Sequence, residues 1–463
     1  MNRITPLILA VALFMEMMDA TVIATSLPAI AADIGTEPIA LKLAMTAYLV
    51  ALAIFIPVSG WMADRFGARN VFRWAIFVFM LGSLACAVAN SLPTFVGARF
   101  FQGMGGAMMS PLARLVLVRT TPKKDLVSAM AWLSVPALMG PVLGPPIGGF
   151  LTTFLSWHWI FLVNIPIGIV GIVAATIFLP RTGYRAQTRL DWLGFILAGV
   201  SFSGVLFGLS VISLPALPPQ VGVVTVIVGI LSGYAFVRHA QRVKHPLFDP
   251  KILSYPMFRS SIVGGSLFRI GFGASPFLLP LMLQLGFGLT PFESGSILFV
   301  GAVGAILAKF VARRAFATFG FRNLLVLMAF LSAGQLAIKG TFTMETPALF
   351  IMVILFAGGL VRSTFFTGIN SLGFADVPEE DIGQASGLMA VSVQLSFAFG
   401  VALAGGVLEL TTFVRASSLV VADFQITFFI VSGVALIAMV PFLRLKKSAG
   451  SDMSGHRVRS RSR

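Results

Sequence analysis

Residues 60–70 read GWMADRFGARN, a short charged turn set between apolar runs near 41–63 and 70–90. Each run is long enough to cross a bilayer, which takes about 20 mostly apolar residues in helical form. Only helices or closed barrels satisfy their backbone groups in lipid, and these runs are continuous rather than alternating, so they read as two transmembrane helices. The pattern extends to both ends of the chain, in which 57% of the 463 residues are apolar and 11% are charged. Further runs bounded by charges, Gly or Pro lie near 6–28, 94–118, 126–154, 156–179, 190–212, 219–239, 257–284, 291–316, 321–341, 346–370, 383–409 and 423–443, giving fourteen in all. An all-α integral membrane protein follows. The run from Pro6 to Pro28 carries acids in its middle and no small-residue cleavage site, so it reads as the first span and not as a removable signal.

Charge tests the topology, because cytoplasmic loops collect Lys and Arg. With the N-terminus inside, Lys42, Lys339 and Arg415 fall outside, and Arg99, Arg114, Arg269, Lys309 and Arg362 fall within spans. All the rest of the 33 Lys and Arg lie in or beside inside segments. An odd number of spans would spoil that asymmetry and put the Arg-rich tail outside, so both termini are expected in the cytoplasm. The formal net charge of +16 is spread over short inside loops that meet the negative inner leaflet, and does not point to nucleic acid. The tail from Ser448 is rich in Ser, Gly and Arg and is expected to be disordered. The single Cys86, inside an apolar run, excludes a disulfide framework and a thiolate metal cluster, and neither metal nor cofactor is expected. No G-x-x-x-x-G-K-[ST] loop occurs, and the longest polar link, Arg238 to Arg259, is too short for a nucleotide-binding domain. A transporter of this form draws on an ion gradient or on its substrate's own gradient.

In the first span, PLILAVALFMEMMDATVIATSLP (6–28), Glu16 and Asp19 sit one helical turn apart. An ionised side chain at the centre of a membrane helix costs roughly 2.5–3.5 kcal/mol on the lenient insertion scale, so such residues line cavities, ion paths or proton relays. Asp19 lies about 20 Å along the helix from its inside end at 1.5 Å per residue, near mid-membrane. Two carboxylates this close titrate as one coupled unit. Glu16 has an alternative as the partner of an intramembrane arginine. Arg99 and Gln102 begin and end RFFQ in the fourth span, where a guanidinium can bias the protonation of a facing acid or pair structurally near a helix end. Arg114, further along that run, reaches either a substrate cavity or, by snorkelling, the membrane surface.

The turn at 60–70 resembles the G-x-x-x-D-R-x-G-x-R signature of the major facilitator superfamily, with Gly60, Asp64, Arg65, Gly67 and Arg69 all matching. Gly60 permits close helix approach, Gly67 a tight turn, and Asp64 with its arginines can bond to neighbouring helix ends, so the segment reads as a conformational latch. In the second half, KFVARRAFATFGFRN carries Gly320 and Arg322 at the spacing of Gly67 and Arg69, without the Asp, as a degenerate echo between two duplicated six-helix halves. Setting the halves in register leaves the hairpin from Leu190 to Val237 unmatched, with the turn LPALPP outside. That arrangement is similar to the fourteen-span drug:proton antiporter family. GPVLGPPIGG, residues 140–149, resembles that family's antiporter motif: Gly140, Gly144, Gly148 and Gly149 allow tight helix contact, while Pro141, Pro145 and Pro146 remove backbone donors and bend the helix into a rocking seam. Simple helix packing is the alternative. DATVIATSLP (19–28) and WHWIFLVNIPIG (157–168) also resemble family motifs, Trp157 and Trp159 being suited to the outer interface.

The resemblance implies an N-terminal six-helix bundle over 1–180, two additional helices with linkers over 181–250, a C-terminal six-helix bundle over 251–445 and a basic cytoplasmic tail over 446–463. It implies a multi-pass exporter of the bacterial inner membrane, not an enzyme, and links Asp19 to proton coupling and cation recognition; Glu16 is less typical of the family. The expected function is proton-coupled export of amphipathic drugs or toxic compounds by alternating access. Asp19, Glu16 and Arg99 would couple protons, and Asp19, Glu16, Gln102, Arg114, Arg269 and Arg362 would line the substrate cavity. Arg362 fits no pattern of the family. Two intramembrane arginines could neutralise a substrate carboxylate or phosphate, making the protein an exporter of an anionic metabolite or lipid, or they could pair with Glu409, helix carbonyls or the N-half acids. A non-transporting membrane sensor has no soluble signalling module to support it. The expected partners are a small amphipathic substrate, protons and the lipid bilayer, without nucleic acid or nucleotide, and the chain is expected to be a monomer.

Overall fold

The computed structural model describes residues 4–122, 125–180, 190–212, 218–244, 246–416, 418–446 and 448–454. Among them every regular element is helical. The principal helices are α1 (Ile4–Val22), α2 (Lys42–Phe55), α3 (Ala68–Ala87), α4 (Leu92–Thr120), α5 (Leu126–Phe154), α6 (Asn164–Phe178), α7 (Trp192–Val211), α8 (Pro219–Ala240), α9 (Pro256–Gly273), α10 (Pro291–Lys339), α11 (Ala348–Leu372), α12 (Ile382–Arg415) and α13 (Val421–Ile437). Twelve helical stretches among the described residues are long and apolar enough to cross a membrane. At 49 residues α10 counts once among them, yet Gly320 interrupts it with φ 72° and ψ 164°. Unbroken, it would run about 74 Å, more than twice a hydrocarbon layer of roughly 30 Å. The 29-residue α4 is absent from the twelve, its apolar character diluted by Arg99, Gln102, Arg114 and four glycines. The fourteen crossings expected from the sequence thus require α10 to be divided at Gly320 and α4 to be included.

By internal packing the chain forms two units, Met1–Phe236 with Leu283–Ser296, and Val237–Met282 with Ile297–Arg463. The additional hairpin α7–α8 belongs, up to Phe236, to the first. Phe195 of α7 meets Phe55 of α2 at 5.8 Å between ring centroids, and Trp192 meets Trp61 at 5.7 Å. The outside turn LPALPP lies mostly beyond the described residues, as do the links at 181–189 and the tail from 455. Residues 448–454, expected to be disordered with that tail, are folded. Ala449 is buried in the apolar cluster of Phe321, Leu372 and Leu445, which ties the segment down.

In the first unit, α1 lies along α5, and the motif at 140–149 explains how closely. A Cβ on Gly140 would stand 2.8 Å from the Met18 nitrogen, and one on Gly144 or Gly148 would collide with Thr21 or Val22. These positions, four apart, form one helix face against α1, and Gly149 faces Pro291 and Phe292 in the same way. Pro136, Pro141, Pro145 and Pro146 all lie inside α5, which runs as one helix through them. The glycines of α4 act alike: Gly103 rests on Tyr48 and Ala51 of α2, and Gly105 on Ala75 and Phe79 of α3. Tight small-residue contacts of this kind drive helix association where lipid offers no hydrophobic force.

In the second unit, α9 packs on α12 and α13, with Phe268 stacked on Phe365 at 3.8 Å. The acidic run DVPEED at 376–381 caps the start of α9. Asp376 accepts from the Met257 and Phe258 nitrogens at 2.7 and 3.2 Å, satisfying orphan donors at the N-terminus of α9. Tyr255 donates to Asp381 at 2.8 Å, a bond that holds the phenol proton and raises its pKa.

Lys42 and Lys339, each at a helix end that is itself packed within the protein, are 0% and 3% exposed. Three sequence expectations need correction here. Trp157, read as an interfacial ring, is buried and donates to Asp33 at 3.2 Å, whereas Trp159 is 48% exposed. Residues 60–70 are not an open loop: Ser59–Phe66 is helical, α3 begins at Ala68, and Gly67 alone turns the chain at φ 81°. Gly60 faces open space, so it does not serve a close helix approach.

Candidate functional site

Asp19 of α1 is fully buried at the centre of a polar cage in the first unit. Its Oδ2 accepts from Arg99 Nη1 at 2.7 Å, and its Oδ1 accepts from Gln102 Nε2 and Asn164 Nδ2, both at 2.8 Å. Arg99 also donates to Gln102 Oε1 at 2.6 Å, and Gln102 donates to Ser83 at 2.8 Å. The Arg99 guanidinium lies 4.3 Å from the Tyr48 ring centroid, so an aromatic face covers the cation. Arg99 is 1% exposed and Ser83, Gln102 and Asn164 are 0% exposed; every member is shut off from solvent. Breaking such a pair by removing one partner strands a buried charge and costs about 3–5 kcal/mol. The cage is not saturated: Tyr48 Oη, Arg99 Nε and Asn164 Oδ1 have no hydrogen-bond partner among the described residues.

The helices supply these groups by spacing. Arg99 and Gln102 are three apart on α4 and so share the face that Gly103 brings against α2. Asn164 opens α6 at the end of the WHWIFLVN stretch, and Ser83 comes from α3. Glu16, one turn before Asp19, is 4% exposed and accepts from Ser110 at 2.8 Å; among the described residues no arginine lies within ion-pair distance of it, and Arg114 acts on it only by longer-range Coulombic attraction. Arg114, one turn beyond Ser110 on α4, is exposed and does not join the cage. The sequence reading had Asp19, Arg99 and Gln102 but missed Asn164, Ser83 and Tyr48. An amide within a strongly apolar run, as Asn164 is, was the available signal.

The charged residues of the turn are engaged one by one. Asp64 accepts from Arg119 at 2.6 Å, tying the end of α4 to the turn. Arg69 donates to the carbonyls of Thr176 and Leu179 at 2.5 and 3.1 Å, capping the C-terminus of α6. Arg65 instead lies over Trp61 and Phe66 at 5.5 and 5.7 Å. The echo in the second unit is geometric as well as sequential. Gly320, like Gly67, has positive φ, and Arg322 donates to the Leu443 carbonyl at 3.0 Å as Arg69 does to that of Leu179.

Arg269 and Arg362 belong to the second unit and pair with none of the acids proposed for them. Arg269 is 2% exposed and Arg362 half-buried, each set against a phenylalanine ring.

Comparisons with known proteins identify the family. The family model described as Major Facilitator Superfamily matches residues 9–248 and 261–458. The chain is 35% identical over 446 residues to the "Probable transport protein HsrA" of Haemophilus influenzae, covering 96% of each. It is 35% identical over 408 residues to the "Putative multidrug resistance protein MdtD" of Escherichia coli (strain K12 / DH10B), covering 87% of this chain and 85% of that one. A D-xylose–proton symporter structure superposes with a TM-score of 0.69 at 13% identity, over 96% of this chain and 98% of the other. A POT family transporter in complex with 5-aminolevulinic acid superposes at 0.71 and 16% identity, over 94% of both. The structural likenesses establish the fold, the family match and the sequence relatives establish the kinship, and together they make the chain a membrane transporter of the major facilitator superfamily, homologous to the MdtD multidrug resistance proteins.

Proposed function

We propose that the protein is a proton-coupled exporter of amphipathic compounds, with Asp19 as the principal coupling acid and Glu16 beside it. The observation that carries this reading is the cage: an acid in the first span, fully buried, balanced by one arginine and two amides from helices α4 and α6. Ionisable groups buried in membrane helices mark ion paths and proton relays. A proton on Asp19 would remove the charge that holds Arg99, freeing the guanidinium to turn toward other acceptors. Protonation and helix position are thereby linked, as alternating access requires. The relatives named multidrug resistance protein support export of amphipathic cargo, and the distribution of Lys and Arg supports both termini in the cytoplasm of a bacterial inner membrane. The latch at 64–69 and the small-residue face of α5 would serve the conformational cycle.

The test uses the purified chain in proteoliposomes under an imposed pH gradient, screened with a panel of amphipathic compounds. An antiporter moves its substrate toward the acidic compartment and stops when a protonophore collapses the gradient. Movement that ignores both the gradient and the protonophore would overturn the assignment.

A further inference from the structure

We propose that the second unit contains a binding site for the anionic headgroup of an amphipathic substrate, formed by Arg269, Arg362 and Lys339. The proposal rests on the exporter reading above and specifies the charge of the cargo.

The three cations come from three helices of the unit. Arg269 of α9 lies 5.6 Å from the ring centroid of Phe366 on α11, and Arg362 of α11 lies 4.6 Å from that of Phe272 on α9. The two rings touch edge to face at 6.3 Å. Each helix thus contributes one arginine and the ring that backs the other helix's arginine, at spacings of three and four that place each pair on one face. Lys339, the last residue of α10, enters from a third direction. Its Nζ donates to Ser275 Oγ at 3.0 Å, three residues beyond Phe272, and it lies within Coulombic range of Arg362. Gln335, one turn before Lys339, packs against Gly358, one turn before Arg362, where a Cβ would stand 2.7 Å from Gln335 Oε1. Side-by-side packing of α10 and α11 therefore fixes the two cations near each other.

Nothing among the described residues neutralises this cluster. No carboxylate lies within ion-pair distance of any of the three, although Arg269 and Lys339 are 2% and 3% exposed. Arg269 Nη1 is a buried donor without an acceptor. The contrast with the first unit is direct, since there the buried Arg99 has its carboxylate at 2.7 Å. Uncompensated buried charges are retained in membrane helices where they meet a ligand or an ion. Two guanidiniums backed by aromatic rings, with an ammonium beside them, match a carboxylate, phosphate or sulfonate that offers several acceptor oxygens.

Binding to the purified full chain in neutral detergent tests this, using 1-naphthoate, 1-naphthyl phosphate and naphthalene-1-sulfonate against 1-naphthylmethylammonium, which shares the ring and reverses the charge. At least one anion should bind and raise the melting temperature, and the ammonium should neither bind there nor compete. Arg269→Gln with Arg362→Gln should weaken anion binding at least tenfold, and Arg269→Lys should weaken it less than Arg269→Gln. Should the double variant not fold, Lys339→Gln alone should still weaken binding several-fold. Absence of binding by all three anions, equal binding of the ammonium, or unchanged affinity in the variants would overturn the proposal. So would displacement of the anions by phosphatidylglycerol in nanodiscs, since the cations would then hold a lipid. If the parent chain binds the anions while its pH-driven transport proves absent, the coupling reading alone fails; if pH-driven transport persists without anion binding, only this site fails.

Discussion

Asp19, Arg99, Gln102 and Asn164 form a unit in which each side chain meets at least one charge or dipole of another. Removing Arg99 would leave Asp19 buried beside neutral donors alone, and we expect Arg99→Met to lose about 3–5 kcal/mol of stability, read as a lowered unfolding temperature in detergent. Arg99→Met with Asp19→Asn should regain much of it, because the stranded charge is gone. Asn164→Ala removes one donor and should cost about 1–3 kcal/mol. If Arg99→Met unfolds no more readily than Asn164→Ala, the ion pair is not what holds the cage. At this scale the sequence was informative where a charge or amide stood out against apolar surroundings, as for Glu16, Asp19, Arg99 and Arg269. It did not disclose which residues face one another, since Asp19 and Arg99 are eighty positions apart and spacing within one helix says nothing of its neighbours. The burial of Lys339 was equally hidden, because a lysine at a helix end gives no sign of the packing around that end.

Two helical elements carry their roles in missing side chains. The face of α5 at Gly140, Gly144 and Gly148 seats α1, the helix that bears Asp19, so Gly144→Val should displace α1 and reduce transport even where folded protein is recovered. Measuring transport per folded molecule separates the effect from lost expression; full specific activity would contradict the seat. The turn at Gly67 makes a sharper comparison. With φ 81° it disfavours any Cβ, so Gly67→Ala should cost about 1–3 kcal/mol, whereas Gly60→Ala, where a Cβ meets open space, should be nearly neutral. Equal damage from the two would contradict the account of the latch. The motif itself was legible in the sequence, but not the division of labour within it. Five matching positions cannot show that Gly67 turns the chain, that Asp64 and Arg69 bond to other helices, and that Gly60 does neither.

Over the whole molecule the duplication is visible in one repeated bond, from Arg69 to the Leu179 carbonyl and from Arg322 to the Leu443 carbonyl, each two residues after a glycine of positive φ. The all-helical membrane architecture was readable from apolar run length alone, because lipid admits so few backbone solutions. Run length does not say which bundle the additional helices join: α7 and α8, which lie in sequence between the two expected bundles, pack with the first unit up to Phe236. A reporter fused to the C-terminus checks the orientation, and it should fold and report only in the cytoplasm; activity of a periplasm-dependent reporter there would contradict it.

The central claim is that proton movement through Asp19 drives transport, and the most direct measurement compares two modes of the same protein in vesicles. Asp19→Asn strands Arg99, so transport is measured per folded molecule: the variant should still exchange labelled for unlabelled substrate across the membrane without any gradient, yet fail to accumulate substrate against its gradient when a pH difference is imposed. Undiminished pH-driven accumulation by Asp19→Asn would contradict the account.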